Sequence, residues 1–314
     1  MRILIVMDPL ERVDVYKDTT FGFMLSAQAL EHEVHFCEQS QLFVRNGKSY
    51  AKAAPIEVNL DPESPFRLGF FEEVALSHFH TIWMRKDPPV DRAYLHATHV
   101  LDFAASHSFI VNSPRGIRYA NEKLYAQMFP AYCPDTLVSR DCQQLKALVR
   151  NSSEAIVVKP VDGHGGAGVF VIQPDDRNAG SIVETLTEDG RRWVVAQTYI
   201  PEARVGDKRI ILINGEVQGA ILRVPQSDDN RGNIHVGGRV EHTELTEREL
   251  EICQTLAPRL RQDGLWFVCL DIIGDYLTEI NVTSPTGIRE IQELTGRDVG
   301  KAYVQWVEEQ IQST

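Results

Sequence analysis

The 314-residue sequence has no apolar run that approaches the roughly 20 residues required to cross a membrane. Its first apolar run, at 3–7, is followed by Asp8-Pro9, which predicts a strand and a turn rather than a secretory signal. Glycine, with 21 residues, and proline, with 15, are too scarce for a collagen-like or low-complexity chain. A hydrophobic share of 43% and a charged share of 24% are typical of an ordinary globular protein, so disorder throughout the chain is excluded. The length predicts two domains, or one large domain built from subdomains.

Cysteine is also scarce, and no two of the five cysteines form a Cys-x-x-Cys pair. An odd, scattered set without a secretory signal predicts free thiols in a reducing cytoplasm rather than a disulfide framework or a zinc site. The five are Cys37, Cys133, Cys142, Cys253 and Cys269.

Basic residues are outnumbered by acidic ones, 32 to 44, which gives a formal net charge of −12. Such a chain has no bulk attraction for nucleic acid or for an anionic membrane, and we expect neither as a partner. A local basic site for a small anion remains compatible with this balance.

Strand and helix patterns alternate through the first third of the chain, which predicts an open α/β sheet. Asn46-Gly47 lies between two short strand patterns and predicts a two-residue hairpin. The prolines and polar residues of 52–72 predict a loop. The expected strands are 3–7, 33–37, 81–85 and 109–112, with helices near 21–30 and 91–107.

Two further units are predicted, at 121–200 and 201–314, after an N-terminal unit at 1–120. The second unit should contain helices at 121–129, 141–151 and 181–186 and strands at 136–138, 155–161, 168–173 and 193–200. The third should contain a hairpin at 208–214 and 216–223, helices at 247–261 and 299–311, and a strand pair within 265–282.

The most informative stretch is a glycine loop between two apolar strand patterns, preceded by Lys159. Glycines let the backbone approach a ligand and turn its N–H groups toward anionic oxygens, and a lysine adds a point charge for phosphate. A strand follows the loop where Walker A and dinucleotide motifs need a helix, so the loop belongs to neither type. The alternative is an ordinary flexible hairpin. The glycines are Gly163, Gly165, Gly166 and Gly168.

A second signal lies in the predicted strand pair within 265–282, where polar side chains interrupt apolar runs. Glu279 and Asn281 are two residues apart and therefore share a strand face. A loop with an odd number of residues, 274–276, would pair Asp271 with Glu279, whereas a two-residue loop would put them on opposite faces. On one face, these oxygens would suit Mg²⁺ together with phosphate oxygens and water. The alternative is a solvated outer face.

Two further segments carry candidate cations. Lys208 and Arg209 open a predicted strand after Gly206-Asp207, and with Lys123 and Lys159 they could supply positive charge, although a common hairpin edge is the plainer interpretation. The polar, glycine-rich stretch 226–239 has the character of a lid that excludes water.

The motifs of the whole chain resemble those of the prokaryotic-type glutathione synthetases, which are ATP-grasp carboxylate–amine ligases. The Met-Arg-Lys-Asp-Pro-Pro and Asn-Val-Thr-Ser-Pro-Thr segments are the more specific to this family, and the lysine, Asp and Glu-x-Asn elements are general to ATP-grasp enzymes. The motifs are 5–9, 17–21, 84–89, 121–124, the glycine loop, 206–209, 231–233, 237–239, 270–274 and 279–286.

The resemblance implies an α/β protein, with an ATP-grasp fold preceded by an open parallel α/β domain. The implied units are a substrate-binding domain at 1–120, an ATP-grasp lid subdomain at 121–200 and a catalytic subdomain at 201–314. The implied reaction joins glycine to γ-glutamylcysteine with ATP, through an acyl phosphate, in the cytoplasm. The implied cofactors are two Mg²⁺ ions, with Mn²⁺ as an alternative, and the implied assembly is a homo-oligomer, a tetramer by analogy with the family.

The same resemblance implies roles for individual residues. Arg209 and Lys159 would be catalytic, and Asp271, Glu279 and Asn281 would hold the metal. The substrate residues would be Lys17, Arg85, Arg231, Gly237 and Gly238. The ATP site would consist of Lys123, Lys159, Gly163, Gly165, Gly166, Gly168, Gln197, Thr198, Tyr199, Ile200 and Asp207.

Three competing functions remain at this level: another ATP-grasp ligase with a different peptide or amino acid, a nucleotide-binding protein without ligase activity, and a kinase. A protein kinase is excluded because the sequence lacks His-Arg-Asp and Asp-Phe-Gly. An inactive binding protein would be expected to lose a metal ligand, yet Asp271, Glu279 and Asn281 are all present.

Overall fold

Three β-sheets carry the fold in a computed structural model that describes residues 1–225 and 239–313. The first sheet and its helices comprise β1 Arg2–Met7, α1 Thr19–Ala29, β2 Glu33–Glu38, β3 Leu42–Arg45, β4 Lys48–Val58, β5 Phe66–Leu68, β6 Glu72–Ala75, β7 Thr81–Met84, α2 Arg92–Asp102, β8 Phe109–Val111 and α3 Pro114–Tyr119. The second comprises β9 Thr136–Ser139, α4 Cys142–Asn151, β10 Ile156–Pro160, β11 Phe170–Ile172, α5 Ala179–Thr187 and β12 Val194–Thr198. The third comprises β13 Asp207–Ile213, β14 Glu216–Val224, β15 Arg239–His242, α6 Glu247–Gln262, β16 Phe267–Ile273, β17 Tyr276–Asn281, α7 Ile288–Thr295 and α8 Val299–Gln312.

The first sheet is built around β1, whose residues from Ile3 to Val6 are fully buried. It pairs in parallel with β2 on one side and β7 on the other, as expected of a continuous apolar run. β8 extends the parallel part, and β3 to β6 add antiparallel strands beyond β2. The predicted hairpin at Asn46-Gly47 is confirmed, with positive φ at both residues, as a two-residue turn of this twist requires.

The predicted loop at 52–72 is wrong, because β4 continues to Val58 and pairs with β5 and β6. The strand signal is weak in the sequence because Pro55 interrupts the segment and two of its inward residues, Ala51 and Ala53, are small. Pro55 lacks a donor, but its carbonyl still accepts a hydrogen bond from Gly69 at 2.8 Å.

The predicted helix at 121–129 is also wrong, and only a 3-10 turn forms, at Tyr125–Met128. The Asn121 side chain accepts hydrogen bonds from the backbone N–H groups of Lys123 and Leu124, which competes with helix formation. The carbonyl of Glu122 accepts the N–H of Ile280 at 3.0 Å, so this backbone is joined to β17 instead. The sequence patterns did not predict the short helices α3 and α7.

The other predicted helices and strands form within a few residues of their expected bounds. Asp141, the first residue of the helix predicted at 141–151, caps α4 through hydrogen bonds from the N–H groups of Gln143 and Gln144. Thr246 and Glu249 form a capping box at the start of α6. No helix within residues 1–225 and 239–313 is long and apolar enough to span a membrane.

The first and third sheets share one core. Phe23 of α1 stacks on Tyr303 of α8 with 4.1 Å between ring centroids, and both rings contact Phe267 of β16. The side chain of Asn112, after β8, donates to the carbonyls of Phe267 and Val282 and accepts the N–H of Phe267, each at 2.8 Å. These contacts fix the first sheet against the strands that carry Asp271 and Glu279.

We expect Asn112→Ala to destabilise the protein by about 2–4 kcal/mol, because it leaves two buried carbonyls and one buried N–H without their partner. The urea midpoint, followed by circular dichroism, measures the loss. Asn59→Ala is the matched control, because Asn59 makes its hydrogen bonds at the surface. Equal midpoints for the two variants would contradict the joining role of Asn112.

Candidate active site

A cleft of about 720 Å³ receives residues from all three sheets and their loops. Lys17 lines it from the first unit, Lys159 from β10 and Asp271 from β16. A volume of this size lies within the ordinary range of small-molecule sites.

Two lysines converge on one carboxylate in this cleft. The Nζ atoms of Lys123 and Lys159 lie 3.5 and 3.4 Å from the Oε1 of Glu279, although 36 residues separate the lysines along the chain. Burial alone would raise the pKa of Glu279, but the two lysines outweigh it and hold that pKa below its ordinary value. Burial lowers the pKa of Lys159, and Glu279 opposes this effect. The carboxylate therefore compensates a repulsive pair of cations.

Asp271 and Glu279 face each other because of a β-bulge. The loop between β16 and β17 is the two-residue turn Gly274-Asp275, which by itself would put the two carboxylates on opposite faces. The register shifts after Asp271, where one extra residue, Thr278, enters the partner strand and restores the pairing of Asp271 with Glu279. The pairing predicted for an odd loop thus arises from an even loop and a bulge.

Asp271 is the centre of a second cluster of charges. Its two oxygens accept hydrogen bonds from the Nε and Nη2 of Arg209 at 2.9 and 2.8 Å, and Nη2 of Arg223 lies 3.0 Å from Oδ2. The amide nitrogen of Asn281 donates to the same Oδ2 at 3.0 Å. Burial opposes ionisation of Asp271, but the two guanidinium groups outweigh it and hold the pKa of its carboxyl far below the ordinary value.

Asp207 lies at the edge of this cluster and accepts a hydrogen bond from the Nε of Arg223. Burial raises the pKa of Asp207, and Asp271 adds to the rise, while Arg223 opposes it. The side chain lines the cleft.

The glycine loop has the predicted arrangement, a loop between the antiparallel strands β10 and β11. Gly163, Gly165 and Gly166 line the cleft, whereas Gly168 turns against Pro160. Positive φ angles of 61° and 78° at Gly165 and Gly166 suit residues without a side chain. The Nζ of Lys123 donates to the carbonyl of Gly163 at 2.5 Å and connects the loop to the lysine pair.

The predicted adenine hinge, Gln197, Thr198, Tyr199 and Ile200, also lines the cleft, and its strand β12 pairs with β10. The Gln197 amide is buried and donates to the hydroxyl of Thr136 at 3.0 Å, so it shapes the wall. The Tyr199 hydroxyl is buried and has no hydrogen-bond partner within the described residues.

The two cations expected for substrate carboxylates lie in different surroundings. Lys17 is exposed at the mouth of the cleft. Arg85 is buried beside a separate cavity of about 210 Å³, where it donates to the Thr20 hydroxyl and to the carbonyl of Pro285 at 3.1 and 2.8 Å. Its guanidinium lies 5.4 Å from the ring centroids of both Phe23 and Phe267. A direct substrate contact by Arg85 therefore stays a prediction.

Arg231, Gly237, Gly238 and most of the expected lid at 226–239 lie outside the described residues. Arg239 is described, and it forms an exposed ion pair with Glu241 at 2.6 Å.

Among the cleft residues that had no assigned role in the sequence predictions are Arg223, Glu122 and Glu290. Arg223 is the last charged residue of the apolar strand β14, and its pairing with Asp207 is the signal that the predicted hairpin offered. Glu122 belongs to the quoted Asn-Glu-Lys motif. Burial raises its pKa, nearby Glu279 adds to the rise, and the Thr283 hydroxyl donates to it at 2.9 Å.

The residues offer a metal two carboxylates and one amide oxygen. Because Asn281 donates its amide nitrogen to Asp271, its amide oxygen is left as an acceptor near Glu279. Within the described ranges, no group of three or more His, Cys, Asp or Glu side chains is placed to hold a metal. The set therefore fits a hard cation only if phosphate oxygens and water complete the coordination.

Known proteins resemble this chain along its length. The N-terminal domain model of prokaryotic glutathione synthetases matches residues 1–118, and the ATP-grasp domain model of the same family matches residues 122–296. The glutathione synthetase of Thermosynechococcus vestitus is 46% identical over 317 residues, which cover 98% of this chain and 99% of that protein. That of Synechocystis sp. is 43% identical over 323 residues, which cover 99% of this chain and 100% of that protein.

Solved structures share the fold at low sequence identity. D-cycloserine synthetase DcsG superposes with a TM-score of 0.70 at 14% identity, covering 98% of this chain and 99% of that one. The ATP-grasp ligase PsnB with its minimal precursor gives a TM-score of 0.63 at 17% identity, covering 98% of each chain. Together with the family models, these likenesses confirm both the ATP-grasp fold and the resemblance drawn from the sequence motifs. The chain belongs to the prokaryotic glutathione synthetase family.

Proposed function

We propose that this chain joins glycine to γ-glutamylcysteine with ATP and releases glutathione, ADP and phosphate. The observation that carries the proposal is the convergence of four cations on two carboxylates in a single cleft of a protein of this family. The cations are Lys123, Lys159, Arg209 and Arg223, and they supply the local basic site that the acidic chain otherwise lacks.

The reaction needs activation because a carboxylate is a poor acyl donor. The cysteine carboxylate of γ-glutamylcysteine attacks the γ-phosphorus of ATP, which forms an acyl phosphate and releases ADP. The neutral amine of glycine then attacks the acyl carbon, phosphate leaves, and one proton is released. Both steps depend on positioning and on charge neutralisation, which a rigid array of buried cations supplies.

We assign the nucleotide to the cleft between β10 and β13. Lys123 and Lys159 bind its phosphates together with the backbone of the glycine loop, Gln197–Ile200 border the adenine, and Asp207 accepts from the ribose. Arg209 neutralises charge on the transferring phosphoryl group and on the acyl intermediate. Arg223 shares Asp271 with Arg209, and this carboxylate holds both guanidinium groups in place.

Asp271, Glu279 and the amide oxygen of Asn281 would hold Mg²⁺, or Mn²⁺ in its place, against the nucleotide phosphates. A bound divalent cation supplies charge neutralisation of the phosphates. Two sets of ion pairs orient these carboxylates: Asp271 pairs with Arg209, and Glu279 pairs with Lys123 and Lys159. The same carboxylates can therefore balance cations on one side and a metal–phosphate group on the other.

We further propose three functional parts, at 1–120, 121–200 and 201–314, that act together in the cytoplasm as a homo-oligomer. Supporting this division, each part contributes one of the three sheets. Lys17 and Arg85 of the first part bind substrate carboxylates in this proposal. Since α8 packs on α1, the first and third parts would move as one body.

The function is tested by following ADP release and peptide formation together. With γ-glutamylcysteine, glycine and Mg²⁺-ATP, we expect one glutathione for each ADP released. Omitting glycine should suppress peptide formation, and other dipeptides and amines serve as comparison substrates. Faster coupled turnover with a different dipeptide or amine would contradict the proposal and favour another ATP-grasp ligase specificity.

We expect Glu279→Gln to lower kcat by about 100-fold or more, because it removes the charge that balances two lysines and a metal ligand. Asn281→Ala should act in the same direction. Glu184→Gln is the control. It removes the carboxylate of the surface ion pair between Lys146 and Glu184, and it should change kcat less than twofold. A Glu279→Gln protein with a native melting curve and more than a third of the wild-type kcat would contradict the assignment.

The pH dependence of ADP binding tests Lys159. Burial lowers the pKa of Lys159, and only the protonated amine attracts phosphate. The affinity for ADP should therefore be highest below the pKa of Lys159 and should fall as the pH rises through that pKa. The fall should occur at a lower pH than it would for a lysine with an ordinary pKa. Lys159→Arg keeps its charge and should lack this component between pH 7 and 10. The Kd for ADP is measured by calorimetry as a function of pH. If the wild type and Lys159→Arg gave profiles of the same shape, the assignment of Lys159 to the phosphates would be refuted.

A further inference from the structure

One basic side chain of the cleft has no protein partner. His164 lies within the glycine loop, between Gly163 and Gly165, and its side chain is exposed and lines the cleft. In the described part of the chain, its imidazole makes no hydrogen bond, ion pair or ring contact. The four cations of the proposed phosphate site are each paired with Asp271 or Glu279, so His164 stands apart from that balanced array.

The backbone of the loop fixes the position from which this side chain extends. The carbonyl of His164 accepts the N–H of Ala167 at 3.1 Å, which closes a tight turn with two glycines of positive φ at its centre. On the other side, the carbonyl of Gly163 accepts a hydrogen bond from the Nζ of Lys123. His164 therefore follows directly on the residue that connects the loop to the lysine pair, on the segment that we assign to the phosphates.

The charges around the loop are already paired with one another. Asp162 is exposed and binds Arg192, whose Nε and Nη2 lie 2.8 and 2.7 Å from its Oδ1. Lys159, at the base of the loop, and Lys123, beside it, both face Glu279. None of the carboxylates that the structure describes pairs with the imidazole, so a bound phosphate would be its counter-charge.

An imidazole beside a phosphate differs from a lysine in the same place. Histidine is the side chain whose charge ordinarily changes between about pH 5 and 8. The protonated ring has a positive charge and two N–H donors, whereas the neutral ring has one donor. A nearby anion favours the protonated form. A phosphate that binds at this loop would therefore draw a proton from the solvent onto the imidazole.

We propose that the imidazole of His164 takes up a proton as the nucleotide binds and then donates a charge-assisted hydrogen bond to the β-phosphate. This inference rests on the proposed function and adds to it a phosphate contact that is linked to pH. The buffer supplies the proton, and the only covalent bond that forms is the N–H bond on the ring. Because only the imidazolium carries the charge, its contribution to affinity is present at low pH and is lost as the pH rises.

Proton uptake tests the proposal directly. Calorimetry of Mg²⁺-ADP binding in two buffers of different ionisation enthalpy, at one pH, counts the protons taken up for each ADP bound. At pH 7, His164→Gln should take up about half a proton less than the wild type. The same variant should weaken ADP roughly 3- to 10-fold at pH 6 and less than about twofold at pH 8.5, since the site is open to solvent.

Two further comparisons separate the charge from the loop structure. His164→Lys carries its charge throughout this range, so it should bind ADP within about threefold of the wild type at pH 6 and more tightly at pH 8.5. Its proton uptake should be as low as that of His164→Gln. AMP lacks the β-phosphate, so all three proteins should bind AMP within about twofold of one another at both pH values.

His107→Gln is the matched control, because His107 is exposed and lies outside the cleft. It should leave both the affinity for ADP and the proton uptake unchanged. Lys159→Arg should keep the uptake that His164→Gln loses, which distinguishes this pH dependence from that of Lys159. Melting curves like that of the wild type show that the variants are folded.

The outcomes separate the two proposals. If the wild type binds ADP and His164→Gln takes up as many protons as the wild type, the role of His164 is overturned while the proposed function stands. If His164→Gln weakens AMP as much as ADP, the effect belongs to the shape of the loop, and the contact with the β-phosphate is overturned. If the wild type binds no ADP, the proposed function fails, and the assignment of His164 fails with it.

Discussion

Two buried carboxylates, Asp271 and Glu279, hold together the cations on which the cleft depends. Lys123, Lys159, Arg209 and Arg223 come from separate segments, and in a low-dielectric cleft they would repel one another without an anion between them. The carboxylates hold them in position before substrate arrives. In the proposed assignment, an incoming triphosphate would meet charges that are already in position, which would lower the reorganisation that phosphoryl transfer requires.

That array has the right geometry only because the three sheets are fixed relative to one another. From the end of β8 in the first sheet, Asn112 satisfies backbone groups of β16 and of Val282, which directly follows β17, in the third. Phe23, Phe267 and Tyr303 form a shared aromatic core. The second sheet reaches the cleft through Lys159 and the glycine loop. Its contact with the third sheet is largely electrostatic at this point, so bound phosphate would strengthen the contact between them.

Local signals in the sequence were sufficient where a residue acts on its immediate neighbours. Asn46-Gly47 formed its turn and Asp141 its cap because both depend on backbone geometry within four residues. The pattern failed at 121–129, where the carbonyl of Glu122 bonds to Ile280, a residue more than 150 positions away. It failed at 52–72 because Pro55 and small alanines obscured a strand whose partners are distant in sequence.

The sequence by itself determined the chemistry of the site: a glycine loop after a lysine, an Asp and a Glu-x-Asn pair, and the family motifs that surround them. Only the tertiary structure decided which of these residues meet. The pairing of Asp271 with Glu279 depends on a bulge at Thr278. Arg85 is buried whereas Lys17 is exposed, and this difference depends on packing between α1, β16 and the loop before α7. Glu290 could not be identified as a cleft residue from the sequence, because side-chain spacing along one helix carries no information about the surface that the helix faces.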